Sequence, residues 1–295
     1  MRSVFLVDNG SLRPSSTLNL RRLAGEVSAR TGIPVEAASL LHSNKDPADE
    51  LDGQAAQTLG PAATRHARDG SDEIVVLPFF FGPSRALTDY LPQRMATMQE
   101  KHPGTHVRVA SPLVDLQGPV DLRMARILRD GVREAMEPGT APSVALVDHG
   151  SPIPEVTAVR NVLTGQLNAL LEEEAYAVTG CSMERREGDE YRFNEPLLEN
   201  LLEQPQFNHG HVIVSMLFLS PGRHAGPDGD VATICSEAEQ RNPGLTTRMT
   251  QLAGQHDTII DILADRIHQA ISGESFLLDL APGATALHVA QQQAD

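Results

Sequence analysis

Two hydrophobic rhythms alternate along the chain. Short continuous apolar runs, rich in β-branched residues, are separated by longer stretches with apolar residues at helical spacing. The first kind predicts buried parallel strands, the second amphipathic helices. In order, strands are expected over 3–7, 35–41, 73–81 and 107–110, with helices over 15–31, 49–69, 87–101 and 119–136. Ser15 or Ser16 is a candidate N-cap of the first helix, and Gly60-Pro61 is expected to interrupt the second. The order then starts again. Strands are expected over 144–147, 176–181, 212–219 and 246–250, with helices over 157–174, 195–203, 230–241 and 257–271. The helix at 195–203 has Asn194 or Pro196 as its opener.

The restart can be tested by subtraction. Asp8 and Asp148, Ser11 and Ser151, Pro103 and Pro243, and Gly104 and Gly244 are each 140 residues apart. Pro83 and Pro221, and Arg85 and Arg223, are 138 apart. The chain therefore reads as α/β, two tandem repeats, each a parallel sheet flanked by helices on both faces. The expected domains are 1–138 and 139–273, joined by Glu137-Pro138-Gly139-Thr140-Ala141-Pro142, with a C-terminal tail over 274–295. In the tail, Phe276, Leu277, Leu278 and Leu280 can dock on a domain, while Gln291–Asp295 is a loose end.

The repeat is informative where it fails. Val144–Val147 runs straight into Asp148-His149-Gly150-Ser151, and 212–219 runs into Ser220-Pro221-Gly222-Arg223-His224. Loops beyond the carboxyl ends of parallel strands are where α/β proteins bind ligands. The first repeat has Asn9 in place of His149 and Ala86 in place of His224. Two imidazoles in matching loops are candidate ligands for one divalent transition metal. Two protein ligands make an open site, which suits a metal in transit more than one held for structure. Taken singly, each His is more simply a hydrogen-bonded loop residue; the matched pair favours the metal. Asp148 is a candidate to orient its neighbour or the loop. Glu184, Glu195, Asp228 and Asp230 are candidate bases or further ligands, with solvated or capping roles as the plainer alternative. His209 and His211 fall at the opposite end of their strand and read as structural. His42, His66, His102, His106, His256 and His288 show no convergent partner.

Composition narrows the field. With 295 residues either half can bury its own core. The net charge of −15 argues against a nucleic-acid partner. No run reaches the roughly 18 apolar residues of a membrane span. Asp8-Asn9-Gly10 cuts the first apolar run too short for a secretory signal, so a cytoplasmic location is expected. Cys181 and Cys235 are too few for a disulfide framework, and Cys181 reads as a small buried residue. No nucleotide-binding glycine loop or nucleophile elbow is present.

His149-Gly150-Ser151, followed by Phe218-Leu219-Ser220-Pro221-Gly222-Arg223-His224 and an Asp at 228 or 230, resembles the class II tetrapyrrole chelatases of the sirohydrochlorin cobaltochelatase and ferrochelatase type. Glu195-Pro196-Leu197 resembles that family's acidic-Pro segment. The match covers most of 143–270 closely and the first half in outline, as in a duplicated member. The resemblance implies a lyase that inserts Co2+ or Fe2+ into sirohydrochlorin, in cobalamin or sirohaem biosynthesis, with the metal as substrate and no organic cofactor. It implies metal binding by His149 and His224, catalytic support from Glu184 and Glu195, and substrate contacts from Ser151, Arg223, Arg185 and Arg186. It implies a site in the cleft between the halves, and a monomer or homodimer without nucleic-acid or membrane partners. The alternatives are a non-catalytic metal or tetrapyrrole carrier, and a two-domain small-molecule binder.

Overall fold

A computed structural model of the chain describes residues 1–43 and 47–282. It contains two sheets. The first is built from β1 (Arg2–Asp8), β2 (Val35–Ser39), β3 (Glu73–Pro78), β4 (His106–Val109) and a late strand. The second is built from β5 (Ser143–Asp148), β6 (Ala177–Ser182), β7 (Gly210–Met216) and β8 (Leu245–Met249). The strand orders are β2-β1-β3-β4 and β6-β5-β7-β8, and every pairing among these eight strands is parallel. The same order twice is the structural form of the sequence repeat.

The helices are α1 (Pro14–Thr31), α2 (Leu59–Arg68), α3 (Leu91–Lys101), α4 (Arg123–Ala135), α5 (Pro154–Leu171), α6 (Leu198–Leu201), α7 (Asp230–Arg241) and α8 (Thr258–Ser272). Alternate strand residues face opposite layers. Ala145 and Val147 of β5 pack with Leu198, Leu201, Val231, Cys235 and Ala238 from α6 and α7. Phe5 and Val7 of β1 pack with Leu59, Ala62, Leu91, Met95 and Met98 from α2 and α3. Both faces of the central strands β1, β3, β5 and β7 are covered, which is why these strands are nearly continuous apolar runs, while the flanking strands carry polar residues.

Several expected boundaries move for physical reasons. Helix α1 starts at Pro14 with Arg13 as N-cap, not at Ser15 or Ser16, because proline's fixed φ and missing N–H suit the first helical position. The expected helix over 49–69 is a single 3-10 turn, Ala48–Leu51, followed by α2. Gly60 and Pro61 do not interrupt α2; they lie in its first turn, where an N–H is not needed. The expected helix over 195–203 shrinks to α6, because neither Asn194 nor Pro196 opens it; Leu197 does. The Glu195–Pro196 peptide is cis. His211 lies inside β7, near Glu137.

The tail does dock. β9 (Leu278–Leu280) pairs antiparallel with β4, and His106 pairs with Asp279. His288 and Gln291–Asp295 lie outside the described residues.

Compactness divides the chain differently from the repeat. One unit comprises 1–118 and 260–295; the other comprises 119–259. The stretch Glu137–Pro142 joins α4 to β5 within the second unit. Within the first unit, Arg266 donates to the carbonyls of Pro112 and Leu113, Arg108 donates to Ala270 O, and Arg30 pairs with Asp261. These bonds fix α8 beside the first sheet.

At the end of β1, burial pushes the Asp8 carboxyl up to about 6, against the pull of the Ser39 hydroxyl and the Gly10 amide. Its Oδ1 has no hydrogen-bond partner among the described residues. A carboxyl whose folded pKa is raised stabilises the fold below its unfolded pKa and loses that stabilisation as pH rises through about 6. Asp8→Asn is therefore expected to raise stability at pH 7.5, by up to about 3 kcal/mol, and to flatten the pH dependence between about pH 4 and 6. Urea denaturation across that range checks it; a variant no more stable than wild type at pH 7.5 would refute it.

Candidate functional site

The second sheet brings together what the sequence separates. The carbonyls at the end of β5 hold both neighbouring loops: Met183 N donates to Asp148 O at 2.7 Å, Glu184 N to His149 O at 3.2 Å, and Leu217 N to Val147 O at 2.9 Å. Glu184 is thus tied by its backbone to His149. Gly150 turns the chain at φ +94°, and a Cβ there would lie 1.9 Å from Glu184 O. No side chain fits, so His149-Gly150 can approach the next loop only as this pair. Gly229 does the same for the other histidine, since a Cβ there would sit 2.7 Å from His224 O.

His149 and His224 meet, with ring centroids 4.7 Å apart and planes at 80°. Glu184 Oε1 lies 3.5 Å from His149 Nε2. His224 Nδ1 donates to Asp230 Oδ2 at 2.5 Å, and His149 Nδ1 donates to Gly150 O at 3.2 Å. An acceptor on each Nδ1 keeps the proton there and leaves each Nε2 lone pair available. That is how an outer carboxylate prepares a metal-binding imidazole. Both rings are partly exposed, at 46% and 33%. Among the described residues no group of three or more His, Cys, Asp or Glu is arranged to hold a metal ion. Two imidazoles with one nearby carboxylate can receive a divalent ion at Nε2 and leave positions on it free.

The other expected residues are placed as follows. Glu195 accepts from Arg185 Nε at 2.7 Å and from Leu197 N at 3.1 Å. Arg185 also donates to the carbonyls of Arg186 and Gly188, and Arg186 lies over the Tyr191 ring. Ser151 is buried, and its hydroxyl accepts from Ile153 N. Arg223 is exposed, with Asp230 3.9 Å away. Of the two acidic residues after His224, Asp230 is its partner and Asp228 is exposed. Burial pushes the Cys181 thiol far up, as befits an inert core residue.

Sequence reading placed Asp148 at the site but missed the Arg160 and Asn194 support around it. Asp148 is buried and accepts from Ser182 Oγ at 2.6 Å and Gly150 N at 3.1 Å, with Arg160 at 3.8 Å. Burial raises its pKa even against the Arg160 charge. Arg160 is itself buried and donates to Ser182 Oγ and Asn194 O. Asn194 clamps the loop from both sides: its Oδ1 accepts from Ser151 N, and its Nδ2 donates to Ser151 O, each at 2.9 Å. A signal existed. Arg160 falls on the buried stripe of α5 with Leu163, Leu167 and Leu171, and a charge on an apolar stripe demands a partner.

The first unit shows the same backbone without this chemistry. Leu41 N donates to Asn9 O, and a Cβ on Gly10 would meet Leu41 O, as Gly150 meets Glu184. Leu41 therefore stands where Glu184 stands, beside Asn9 for His149 and Ala86 for His224. Pro14 and Pro154 both start their helices, so Leu20 stands where Arg160 stands.

Comparison with known proteins agrees with the duplication. The CbiX family model matches residues 3–135 and again 143–270. No curated protein matches the chain in sequence. Among solved structures, SirB from Bacillus subtilis with Fe3+ superposes with TM-score 0.68 at 14% identity, covering 93% of this chain and 99% of that one. The sirohydrochlorin chelatase SirB from B. subtilis subspecies spizizenii, in complex with cobalt, gives 0.67 at 13%, covering 92% and 97%. CbiX, described as the terminal enzyme of sirohaem biosynthesis in denitrifying bacteria, gives 0.58 at 15%, covering 91% and 99%. These likenesses establish a shared chelatase fold.

Proposed function

The chain belongs to the CbiX family, and from that premise we propose that it inserts a divalent cation, Co2+ or Fe2+, into sirohydrochlorin. The observation that carries the reading is the meeting of His149 and His224, 4.7 Å between ring centroids, with both Nδ1 atoms occupied. The metal-bearing SirB structures support a metal substrate of this kind. The product would serve sirohaem or cobalamin synthesis, and the expected setting is the cytoplasm. Among the described residues no helix is long and apolar enough to cross a membrane.

The chemistry exchanges two pyrrole N–H protons of the macrocycle for one dication. His149 and His224 present the ion through Nε2, with Asp230 holding the His224 ring in orientation. An ion on two neutral imidazoles keeps its full positive charge and open positions, so macrocycle nitrogens can replace its remaining waters. Glu184, more than half exposed and 3.5 Å from His149, is the proposed acceptor of the first proton; the second leaves to solvent. Arg223 is free enough to meet a substrate carboxylate. Arg185 is committed to Glu195, so its proposed duty is to hold that loop.

The test is anaerobic absorbance of sirohydrochlorin with Co2+, then Fe2+, with and without the protein. Acceleration over the spontaneous rate is expected, and its size ranks the two ions. Stoichiometric metal uptake without acceleration would overturn the enzyme reading in favour of a carrier.

A further inference from the structure

The first unit has lost the histidines, yet it holds a cavity of about 360 Å3 between α2, α3 and the loop after β2. Its described lining includes Arg94, Lys101 and His42 and contains no Asp or Glu. That is unusual in a chain where 39 acidic residues face 24 Lys and Arg. Most arginines here are paired with a carboxylate, as Arg2, Arg22, Arg65, Arg108 and Arg133 are. Among the described residues Arg94 and Lys101 have no acidic partner. Arg94 instead lies over the Tyr90 ring, 4.8 Å from its centroid, which steadies the guanidinium and leaves its N–H edge open.

Comparison of the two repeats shows where the acids went. Leu41 stands for Glu184, as the backbone bonds above establish. Helices α3 and α7 share one register, since His102-Pro103-Gly104 and Asn242-Pro243-Gly244 both follow them, so Tyr90 stands for Asp230 and Arg94 for Ile234. Both carboxylates of the second repeat's site are replaced at this cavity, and a cation is added. Leu40, Leu59 and Met98 supply an apolar floor. Arg94 and Lys101 are seven residues apart on α3, about 10 Å along the axis.

We propose that this cavity binds a small organic acid carrying two or more carboxylates, one on the Arg94 fork and another on Lys101, with its carbon body on the apolar floor. Its described lining includes neither of the paired histidines, and the proposal does not depend on their role.

Isothermal titration of the full-length, metal-free protein with propane-1,2,3-tricarboxylate tests it, with inorganic phosphate and the neutral triamide as comparison probes. Saturable tricarboxylate binding is expected, weakened by salt, absent for the triamide and unchanged in His149→Ala/His224→Ala. Arg94→Gln/Lys101→Gln should weaken it at least tenfold. Leu41→Glu should do the same while Leu41→Gln does not, which separates charge from folding. No saturable binding, binding unchanged in both charge variants, or a preference for phosphate over the tricarboxylate would overturn the proposal.

Discussion

Replacing His149 or His224 by Ala is expected to lower sirohydrochlorin metallation by at least about 100-fold, because loss of even an outer partner of a metal ligand costs 10–100-fold. The fold should survive. Among the described residues the His149 ring donates to Gly150 O and faces Glu184 at 3.5 Å, and it is nearly half exposed. Substitutions at such surface positions usually change stability by less than about 0.5 kcal/mol. Asp230→Asn should have a smaller effect, about 10-fold or more, because an amide can still accept from His224 Nδ1 but carries no charge. The measurement is initial rate against metal concentration, with circular dichroism as the control for folding. Near wild-type turnover in either His variant would remove these residues from the mechanism and with them the proposed site.

The second large effect is on stability. Arg160→Met should destabilise the second unit by about 3–5 kcal/mol, because it strands a buried carboxylate. Asp148 would keep its Ser182 and Gly150 donors and lose the only cation within 4 Å among the described residues. Asn194 O and Ser182 Oγ would lose a donor as well. Adding Asp148→Asn should return most of the loss, since no buried charge then remains. The first repeat keeps the acid without the arginine: Leu20 stands in the arginine's place, and burial pushes the Asp8 carboxyl up to about 6. Urea denaturation of the two single variants and the double variant checks the coupling. Simple additivity would mean that Asp148 and Arg160 do not stabilise one another.

Much of this was legible in the sequence. Parallel strands buried on both faces must be continuous apolar runs, so Val144–Val147 and the body of 212–219 are legible as strands, although β7 ends at Met216, and the loops beyond them hold His149 and His224. The duplication was readable because prolines and glycines at turns keep their spacing, as Pro103-Gly104 and Pro243-Gly244 do. Glu184 was one of several candidate carboxylates; only the backbone pairing of residues 149 and 184 singles it out. Arg160 on the apolar stripe of α5 signals a buried partner, but the partner itself is not legible, because Asn194 lies 34 residues away in sequence. Asn194, like Pro196, reads as a helix opener, a common duty of asparagine before an apolar run. The short α6 was overestimated for a related reason: Glu195, Pro196 and Leu197 suit a helix start, yet Ser182 pairs with Leu197 as a β-bridge and holds that stretch extended. The compact units escaped sequence reading because the choice between two similar sheets for a terminal helix rests on long-range bonds such as Arg266 to Pro112 O.

That last feature bears on how the protein is made. The first compact unit is discontinuous: it needs 1–118 and also the segment beginning at 260. A ribosome has therefore emitted the whole of the second unit before the first can acquire α8 and β9. The unit synthesised first is the one completed last, and until then the β4 edge and the surface covered by α8 stand open. Unpaired strand edges invite pairing with other chains. From the synthesis of β4 until that of β9 the half-built first unit thus carries an exposed edge, and the segment holding α8 and β9 serves as its closing clasp.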